Sequence, residues 1–414
     1  FQLPSTGSEI KYIPVGSKEW TKAKIISRGG KVGGKYQNWL NIEDEEGITK
    51  AIDWKNGVSE WVTDSEESDE LFVCVARLDT KQIKDAKQRE LDTWKEFKVT
   101  TEVPDRGQHA LSLRWVCTEK ISDGIYKPKA RLVARGFEEN LSDSDIRVDS
   151  PTASKPIIKI FFGIIATHSW QSRSIDIKAA FLQGTSFERE VFLKPPKEAG
   201  NTKGKLWKLN KAVYGLNDAS RVWYFTVRNF LLNLGCTQVR SEPAMFYWYK
   251  GNKFCGIFVM HVDDFLWGGS IEFESSVIEE IKKEFKIGSQ EAGAFKYVGL
   301  DIQQTNDGIV LGQSSYLETV ENIPIERGKY EDSDTVNKND SDNLRTLVGQ
   351  LNWLGSQTRP DCSFDVLELS TSLKHPLRED MFRANKTLKK LKLEESIILF
   401  PYLGDPKFYE VGSI

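Results

Sequence analysis

Two groups of aspartates stand where carboxylates are costly unless something neutralises them. Asp176 opens the segment 176–181 (DIKAAF), and Asp263 and Asp264 lie together between two apolar runs. Adjacent carboxylates repel each other, so placing them where two strands meet makes sense if a divalent cation binds there. Three such carboxylates are the hard oxygen ligands of two-metal phosphoryl transfer, in which Mg²⁺ ions about 3.5–4 Å apart serve the attacking and leaving oxygens. We expect all three to be catalytic and metal-binding, Asp264 as a ligand or a supporting carboxylate, with Mg²⁺, or Mn²⁺ in its place, as cofactor.

Adjacent aspartates also occur in ordinary hairpins, where they form a solvated tip with favourable turn chemistry. The pair Asp263-Asp264 alone therefore does not establish a metal site. The stronger indication is the order in which further motifs occur along the chain.

Five motifs follow one another in a fixed order. They are 129–137 (KARLVARGF), 175–184 (IDIKAAFLQG), 207–224 (WKLNKAVYGLNDASRVWY), 261–264 (HVDD) and 358–361 (TRPD). In type and order they resemble the reverse transcriptase of copia-type LTR retrotransposons, from about Trp94 to the C terminus. The resemblance implies a Pol polyprotein enzyme, an RNA-directed DNA polymerase whose partners are an RNA template, a DNA primer, their RNA–DNA hybrid and dNTPs.

The first motif supplies cations for the triphosphate. Lys129 and Arg131 lie in one short basic segment, and strand alternation would place them on one face together with Arg135. We expect Lys129 and Arg131 to contact phosphate, because a triphosphate needs charge-assisted hydrogen bonds. A solvated strand face is the alternative.

The resemblance assigns three more substrate contacts. Phe181 lies five residues after Asp176, where the family has the aromatic that stacks under the incoming sugar and excludes a 2′-hydroxyl. Tyr214 and Gly215 match the place where the backbone closes over the nascent base pair. An ordinary core position is the alternative for Phe181.

Two basic stretches are candidates for nucleic-acid contact. Lys208 and Lys211 end a lysine-rich connection that would run beside the template. The predicted helix around residues 377–392 has an apolar stripe and an opposite face that carries Arg378, Lys386, Lys389 and Lys390. This face would follow the duplex backbone in the thumb, although a basic helix face is often only solvated.

Two departures from the family pattern bear on activity. His261 replaces the family's Tyr and would lie beside the primer terminus. Asp218 introduces an anion near the template, where it would weaken binding. They support an alternative function, that of a domesticated, catalytically silent retroelement protein that binds RNA or a protein partner.

Composition limits the remaining classes. Hydrophobic residues make up 39% of the 414 residues and aromatic residues 11%, which allows large cores and excludes global disorder. A net charge of −3 means that nucleic-acid binding relies on local basic patches. Five scattered cysteines and four histidines predict free thiols and no zinc finger. No signal peptide is visible, and 157–166 is too short to span a membrane and reads as a buried helix.

The predicted fold class is α+β, a right-hand polymerase of fingers, palm and thumb preceded by a small all-β, SH3-like barrel. The expected domains are 1–63 (barrel, integrase C-terminal-like), 64–90 (acidic linker and helix), 91–330 (fingers and palm), 331–400 (thumb and connection helices) and 401–414 (start of a truncated ribonuclease H region). Lys31 and Lys35 of the barrel would suit phosphate contacts, or be solvated lysines of a structural or protein-binding barrel. A Pol origin implies a homodimer or polyprotein assembly in a cytoplasmic virus-like particle, with the nucleus as the alternative location, and no membrane partner.

Overall fold

The structure is a computed structural model of the chain. It describes residues 7, 9–12, 21–28, 39–44, 49–53, 58–62, 80–122, 125–139, 147–185, 189–325, 335–394 and 396–403. The predicted acidic run at 64–70, the lysines at 31 and 35, and residues 404–414 lie outside the described residues.

The N-terminal region is an antiparallel five-stranded sheet. Its strands are β1 (Glu9–Tyr12), β2 (Thr21–Arg28), β3 (Trp39–Asp44), β4 (Thr49–Asp53) and β5 (Val58–Val62), in the spatial order β4-β3-β2-β1-β5. Alternation along β2 and β3 buries Ile25, Leu40 and Ile42 on one face. Among the described strands no pairing joins β4 to β5, so the sheet is open where a barrel would close.

From residue 80 onward helices and strands are mixed, which confirms the predicted α+β class. The helices are α1 (Thr80–Glu96), α2 (Lys155–Thr167), α3 (Ala219–Asn233), α4 (Ile271–Phe273 and Glu279–Glu284, joined by the π-helical turn Glu274–Ile278), α5 (Ser314–Thr319), α6 (Lys338–Gln357), α7 (Ser363–Ser372) and α8 (Arg378–Leu393). The strands are β6 (Thr100–Pro104), β7 (Ala110–Leu111), β8 (Leu113–Ser122), β9 (Ile125–Ala134), β10 (Arg173–Ile177), β11 (Phe192–Leu193), β12 (Lys205–Leu209), β13 (Thr237–Gln238), β14 (Met245–Lys250), β15 (Lys253–His261), β16 (Asp264–Gly269), β17 (Ile287–Ala292), β18 (Ala294–Tyr297), β19 (Leu300–Gln304), β20 (Gly308–Gly312) and β21 (Ile398–Pro401). Within the described ranges no helix is long and apolar enough to cross a membrane.

The chain divides into two compact units. The first contains residues 1–149 and 181–223, and the second contains residues 150–180 and 224–414. Beyond the N-terminal sheet, the first unit contains the long β8–β9 hairpin, on which α1 packs, and a four-stranded sheet in the order β6-β12-β11-β7. The rings of Trp94 in α1 and Trp207 in β12 lie 6.0 Å apart and join helix to sheet.

The second unit is built on a six-stranded sheet in the order β13-β14-β15-β16-β10-β17. Helix α2 buries Phe161, Phe162 and Ile165 in the core of this unit, and its opposite side exposes Ile160. The sequence predicted a buried helix here, and the amphipathic pattern explains why only one face is covered. Strands β14 and β15 pair as a hairpin across a tight turn at Gly251 and Asn252.

Helices α6, α7 and α8 pack around a core of their own in the second unit. Met381, Ala384, Leu388 and Leu391 of α8 are buried in it, which confirms the predicted apolar stripe. The strand β21 that follows the helices pairs with β20, so the expected boundary at 400/401 falls within a strand.

A buried arginine stabilises this group of helices by bonding to the end of α8. Arg359 is 3% exposed, and its Nε and Nη2 each donate to the carboxylate of Asp361 at 2.9 Å. Its Nη1 donates to the carbonyl oxygens of Leu391 and Glu394 at 3.0 and 2.8 Å, which satisfies acceptors at the end of α8. The pKa of the Asp361 carboxyl is lowered, mainly by the hydrogen bonds from Arg359. The TRPD motif, which lies between α6 and α7, therefore binds the end of α8 to these helices.

We expect Arg359→Ala to lower the free energy of unfolding by about 2–4 kcal/mol, because it leaves buried carbonyl groups and one carboxylate without their donor. Urea unfolding followed by circular dichroism measures the loss. Arg345→Ala is the control, since Arg345 is exposed on α6 and donates a long, 3.4 Å hydrogen bond to Leu373. Equal losses in the two variants would contradict the role given to Arg359.

Candidate active site

The pair Asp263-Asp264 lies at a tight hairpin turn. His261 ends β15 opposite Asp264, the first residue of β16, and Val262 and Asp263 form the turn between them. Val262 has φ +58°, a conformation that is strained for a β-branched residue and costs roughly 1–3 kcal/mol. The turn is held from the neighbouring strand, because Ile177 N–H donates to the Asp263 carbonyl at 3.0 Å.

Strand register brings the third aspartate to the same place. β10 pairs with β16 antiparallel, and Asp176 stands directly opposite Asp264. Residues directly opposite on neighbouring antiparallel strands have their Cβ atoms about 4.5–5.5 Å apart. Asp176, Asp263 and Asp264 therefore come together, as the sequence predicted, and all three are half-buried.

The electrostatics of this cluster are unfavourable. Burial, together with the negative charges of Asp263, Asp176 and Glu291, raises the pKa of the Asp264 carboxyl to about 6. Glu291, in β17, is a fourth carboxylate that the sequence did not indicate. Repulsion of this kind is what a bound cation would relieve.

The donor set fits a hard divalent cation, because carboxylate oxygens are the ligands that Mg²⁺ and Mn²⁺ prefer. The side chains are not already gathered around one point: within the part of the chain that the structure describes, no group of three or more His, Cys, Asp or Glu is arranged to hold a metal ion. The three carboxylates are thus adjacent without forming a closed coordination shell.

His261 is the imidazole neighbour of the cluster. Burial lowers the pKa of its imidazole, against the opposing effects of the Asp263 charge and a hydrogen bond with the Ala153 backbone. Its Nδ1 is buried and has no hydrogen-bond partner among the described residues. The place of His261 beside a primer terminus remains a prediction.

In the first unit, three predicted substrate residues form one cluster. The Arg131 guanidinium lies 5.7 Å from the centre of the Tyr214 ring, and this ring lies 5.0 Å from that of Phe181. Phe181 is half-buried, and Lys129 is exposed on the same strand as Arg131. Arg135 directly follows the last residue of β9.

Gly215 completes this cluster through its backbone. Ala134 N–H donates to the Tyr214 carbonyl at 2.8 Å, and Gly136 N–H donates to the Gly215 carbonyl at 3.2 Å. A Cβ at Gly215, which has φ +90°, would lie 2.0 Å from the Ala134 oxygen, and one at Gly136 would lie 2.3 Å from the Gly215 oxygen. Both positions require glycine because the two backbones touch.

Glu90 supports the basic strand and was missed by the sequence reasoning. Its Oε1 accepts from Leu132 N–H at 3.3 Å and from Trp94 Nε1 at 3.2 Å. Burial raises the pKa of the Glu90 carboxyl, and the hydrogen bonds and the charges of Arg131 and Lys129 act against this shift. A glutamate four residues before a buried Trp on a helix is a signal that could have drawn attention to it.

One expectation from the sequence is wrong. Asp218 does not present an anion to the template, because it is 8% exposed and is paired with Arg189. Arg189 donates to Asp218 through Nε and Nη2 at 3.1 and 2.9 Å, and through Nη1 to Glu139. The two carboxylates raise the pKa of Arg189 despite burial, which lowers it.

The lysines of the connection are less available than predicted. Lys208 is paired with Glu190, and Lys211 is half-buried against the Phe97 ring at 5.9 Å, where burial lowers its pKa. These contacts reduce the positive charge that Lys208 and Lys211 can present to a template.

The basic face of α8 is more accessible. Lys386, Lys389 and Lys390 are exposed opposite the buried stripe, and the Arg378 guanidinium lies 6.0 Å from the Phe382 ring. This face presents cations to solvent, as the sequence predicted.

Residues 94–327 match a family model described as reverse transcriptase (RNA-dependent DNA polymerase). Curated relatives include the Retrovirus-related Pol polyproteins from transposons RE1 and RE2 of Arabidopsis thaliana, 28% identical over 70% of this chain and 27% over 67%. A third, from transposon TNT 1-94 of Nicotiana tabacum, is 25% identical over 77% of the chain.

The matched regions cover 21%, 20% and 26% of these three relatives, so the chain spans about a quarter or less of their length. The family match itself extends over more than half of this chain and includes Asp176, Asp263 and Asp264. The chain belongs to the reverse transcriptase (RNA-dependent DNA polymerase) family, and within it to the copia-type LTR retrotransposon Pol group.

Proposed function

We propose that this chain acts as an RNA-directed DNA polymerase, adding dNTPs to a primer 3′-hydroxyl on an RNA template. The observation that carries the proposal is the strand register that sets Asp176 opposite Asp264, beside the turn that contains Asp263. Carboxylates kept together against their repulsion support a divalent-cation site. Bound Mg²⁺ or Mn²⁺ would neutralise charge on the attacking and leaving oxygens. Asp176 and Asp263 would be its principal ligands, and Asp264 a ligand or a supporting carboxylate.

The cluster in the first unit suits the handling of a nucleotide. Arg131, held against the Tyr214 ring, and the exposed Lys129 would contact the triphosphate. The half-buried ring of Phe181 would stack under the sugar and exclude a 2′-hydroxyl. The Tyr214–Gly215 backbone, fixed by its hydrogen bonds, would close over the nascent base pair. In each case the protein contributes position and charge, which is most of what phosphoryl transfer requires.

The right-hand architecture belongs to the same proposal. The β8–β9 hairpin would belong to the fingers, the six-stranded sheet with its aspartates to the palm, and helices α6 to α8 to the thumb. The five-stranded N-terminal sheet would be the integrase C-terminal-like domain. RNA template, DNA primer and RNA–DNA hybrid are the expected partners, and a homodimer or polyprotein assembly in a cytoplasmic virus-like particle is the expected setting.

The alternative function, a catalytically silent protein that binds RNA or a protein partner, loses one of the two observations that supported it. It depended on His261 and on an anion at Asp218, and the latter is a buried structural partner of Arg189. The three aspartates are intact. We therefore favour the enzyme.

One prediction concerns the proposed metal ligands. Asp176→Asn and Asp263→Asn should each abolish primer extension with Mg²⁺ or Mn²⁺, because each removes an anionic oxygen ligand. Primer–template affinity, measured by fluorescence anisotropy, should stay largely unchanged. Asp307→Asn, at an exposed turn, is the matched control and should extend normally.

The same variants allow a test that does not depend on activity. Mg²⁺ at about 100 times its Kd should stabilise the wild type by about 2.7 kcal/mol, and the stabilisation should be absent in Asp176→Asn. Extension by either aspartate variant at a rate near that of the wild type would sink the assignment.

The next prediction concerns the sugar. Phe181→Val should raise incorporation of ribonucleotides relative to deoxyribonucleotides, because the shorter side chain leaves room for a 2′-hydroxyl. If Phe181 is instead a core residue, truncation costs about 2–4 kcal/mol of stability and leaves sugar preference unchanged. Phe192→Val, also at a half-buried position in the first unit, controls for loss of aromatic volume. Single-nucleotide incorporation rates and melting temperatures separate the two outcomes.

A further prediction concerns the basic face of α8. Changing Lys386, Lys389 and Lys390 together to Glu should weaken RNA–DNA hybrid binding at every sequence alike and lower the salt slope by about one unit for each lost phosphate contact. The fold should persist, because these positions lie opposite the buried stripe.

A matched triple variant carries the same charge change elsewhere in the second unit, at the exposed Lys250, Lys253 and Lys283. It should keep the salt slope of the wild type. An unchanged slope in the α8 variant would mean that this face is only solvated.

A further inference from the structure

Gly288 lies at an irregularity of the strand next to Asp176. Along the β10–β17 pair, Asp176 stands opposite Ser289 and Ile177 opposite Ile287, so Gly288 is the extra residue where the register shifts. A bulge of this kind locally re-aims the chain and is frequent beside functional sites.

The glycine is required for space. A Cβ built on Gly288 would lie 2.1 Å from Asp176 Oδ2, 3.2 Å from its Cγ and 3.3 Å from its carbonyl oxygen. Gly288 is not among the glycines with positive φ, so its backbone conformation is open to any residue. What excludes a side chain here is the Asp176 carboxylate itself.

The backbone around Asp176 leaves the carboxylate as the group that must yield. Asp176 is paired on both sides, with Asp264 of β16 and Ser289 of β17. The next residues are fixed as well, because Ile177 N–H donates to Asp263 and Lys178 N–H donates to Lys286, both at 3.0 Å. A side chain at position 288 would therefore rotate the Asp176 carboxylate before it displaced the strand.

We propose that Gly288 is a positioning residue that sets the direction of the Asp176 carboxylate toward a divalent cation. The inference rests on the proposed function, in which Asp176 is a metal ligand. Residues that orient metal ligands typically change metal affinity about 10- to 100-fold when they are altered.

The test compares Gly288→Ala with Gly312→Ala, a buried strand glycine where an added Cβ would meet only Ile397 Cγ2 at 3.9 Å. Binding of Mn²⁺ to the full chain is measured by electron paramagnetic resonance, beside melting temperature and primer extension at increasing Mg²⁺. Gly288→Ala should bind Mn²⁺ about 10- to 100-fold more weakly and need correspondingly more Mg²⁺ for extension. Gly312→Ala should match the wild type in both.

Mn²⁺ affinity in Gly288→Ala equal to that of the wild type, or tighter, would overturn the inference while leaving the metal site standing. A wild type that binds Mn²⁺ no better than Asp176→Asn would instead overturn the proposed function, and this inference with it.

A second variant applies if Gly288→Ala does not fold. Asp176→Ala vacates the space that the new methyl group needs, so the double variant Gly288→Ala with Asp176→Ala should fold as well as Asp176→Ala alone. Failure of the double variant to fold would show that the side chain collides with something else, and would overturn the assignment.

Discussion

Repulsion among the carboxylates where β10 and β16 meet is the constraint on which the rest of the second unit depends. The free energy of folding must hold Asp176, Asp263 and Asp264 together although burial and like charge penalise Asp264. The central sheet does this with backbone hydrogen bonds on both sides of β10, and it tolerates a strained Val262 at the turn. The hydrophobic core around Phe161 and Phe162 supplies the stability that offsets these local costs.

In the first unit, by contrast, the buried charged groups have hydrogen-bond or ion-pair partners. Glu90 lies beneath the strand that carries Lys129 and Arg131, and Arg189 is shared between Glu139 and Asp218. Cations and anions are paired on the inside, while Lys129 remains exposed. If Lys129 and Arg131 contact a triphosphate as proposed, Glu90 would hold their strand in place through the Leu132 N–H.

Local patterns in the sequence were enough to predict the buried helix at 157–166 and the apolar stripe of α8, because each depends on neighbouring residues. What could not be predicted depends on partners distant in sequence. Asp218 looked like a free anion because Arg189 lies 29 residues away. Nothing in the sequence near Gly288 indicated the role proposed for it, because that role depends on contact with the Asp176 carboxylate, which is distant in sequence. The π-helical turn at Glu274–Ile278 could not be predicted either, because a hydrophobic pattern with a period of 3.6 residues indicates an α-helix and not a π-helical turn.

The contact between Gly136 and Gly215 has a consequence for how copies of this sequence can diverge. Most pairwise contacts in proteins can be restored after damage by a compensating change in the partner, as when the two charges of an ion pair are exchanged. Here each glycine faces main-chain atoms, the Gly215 oxygen in one case and the Ala134 oxygen in the other. No substitution elsewhere removes a main-chain oxygen, so a copy that loses either glycine recovers the original geometry only by reversion.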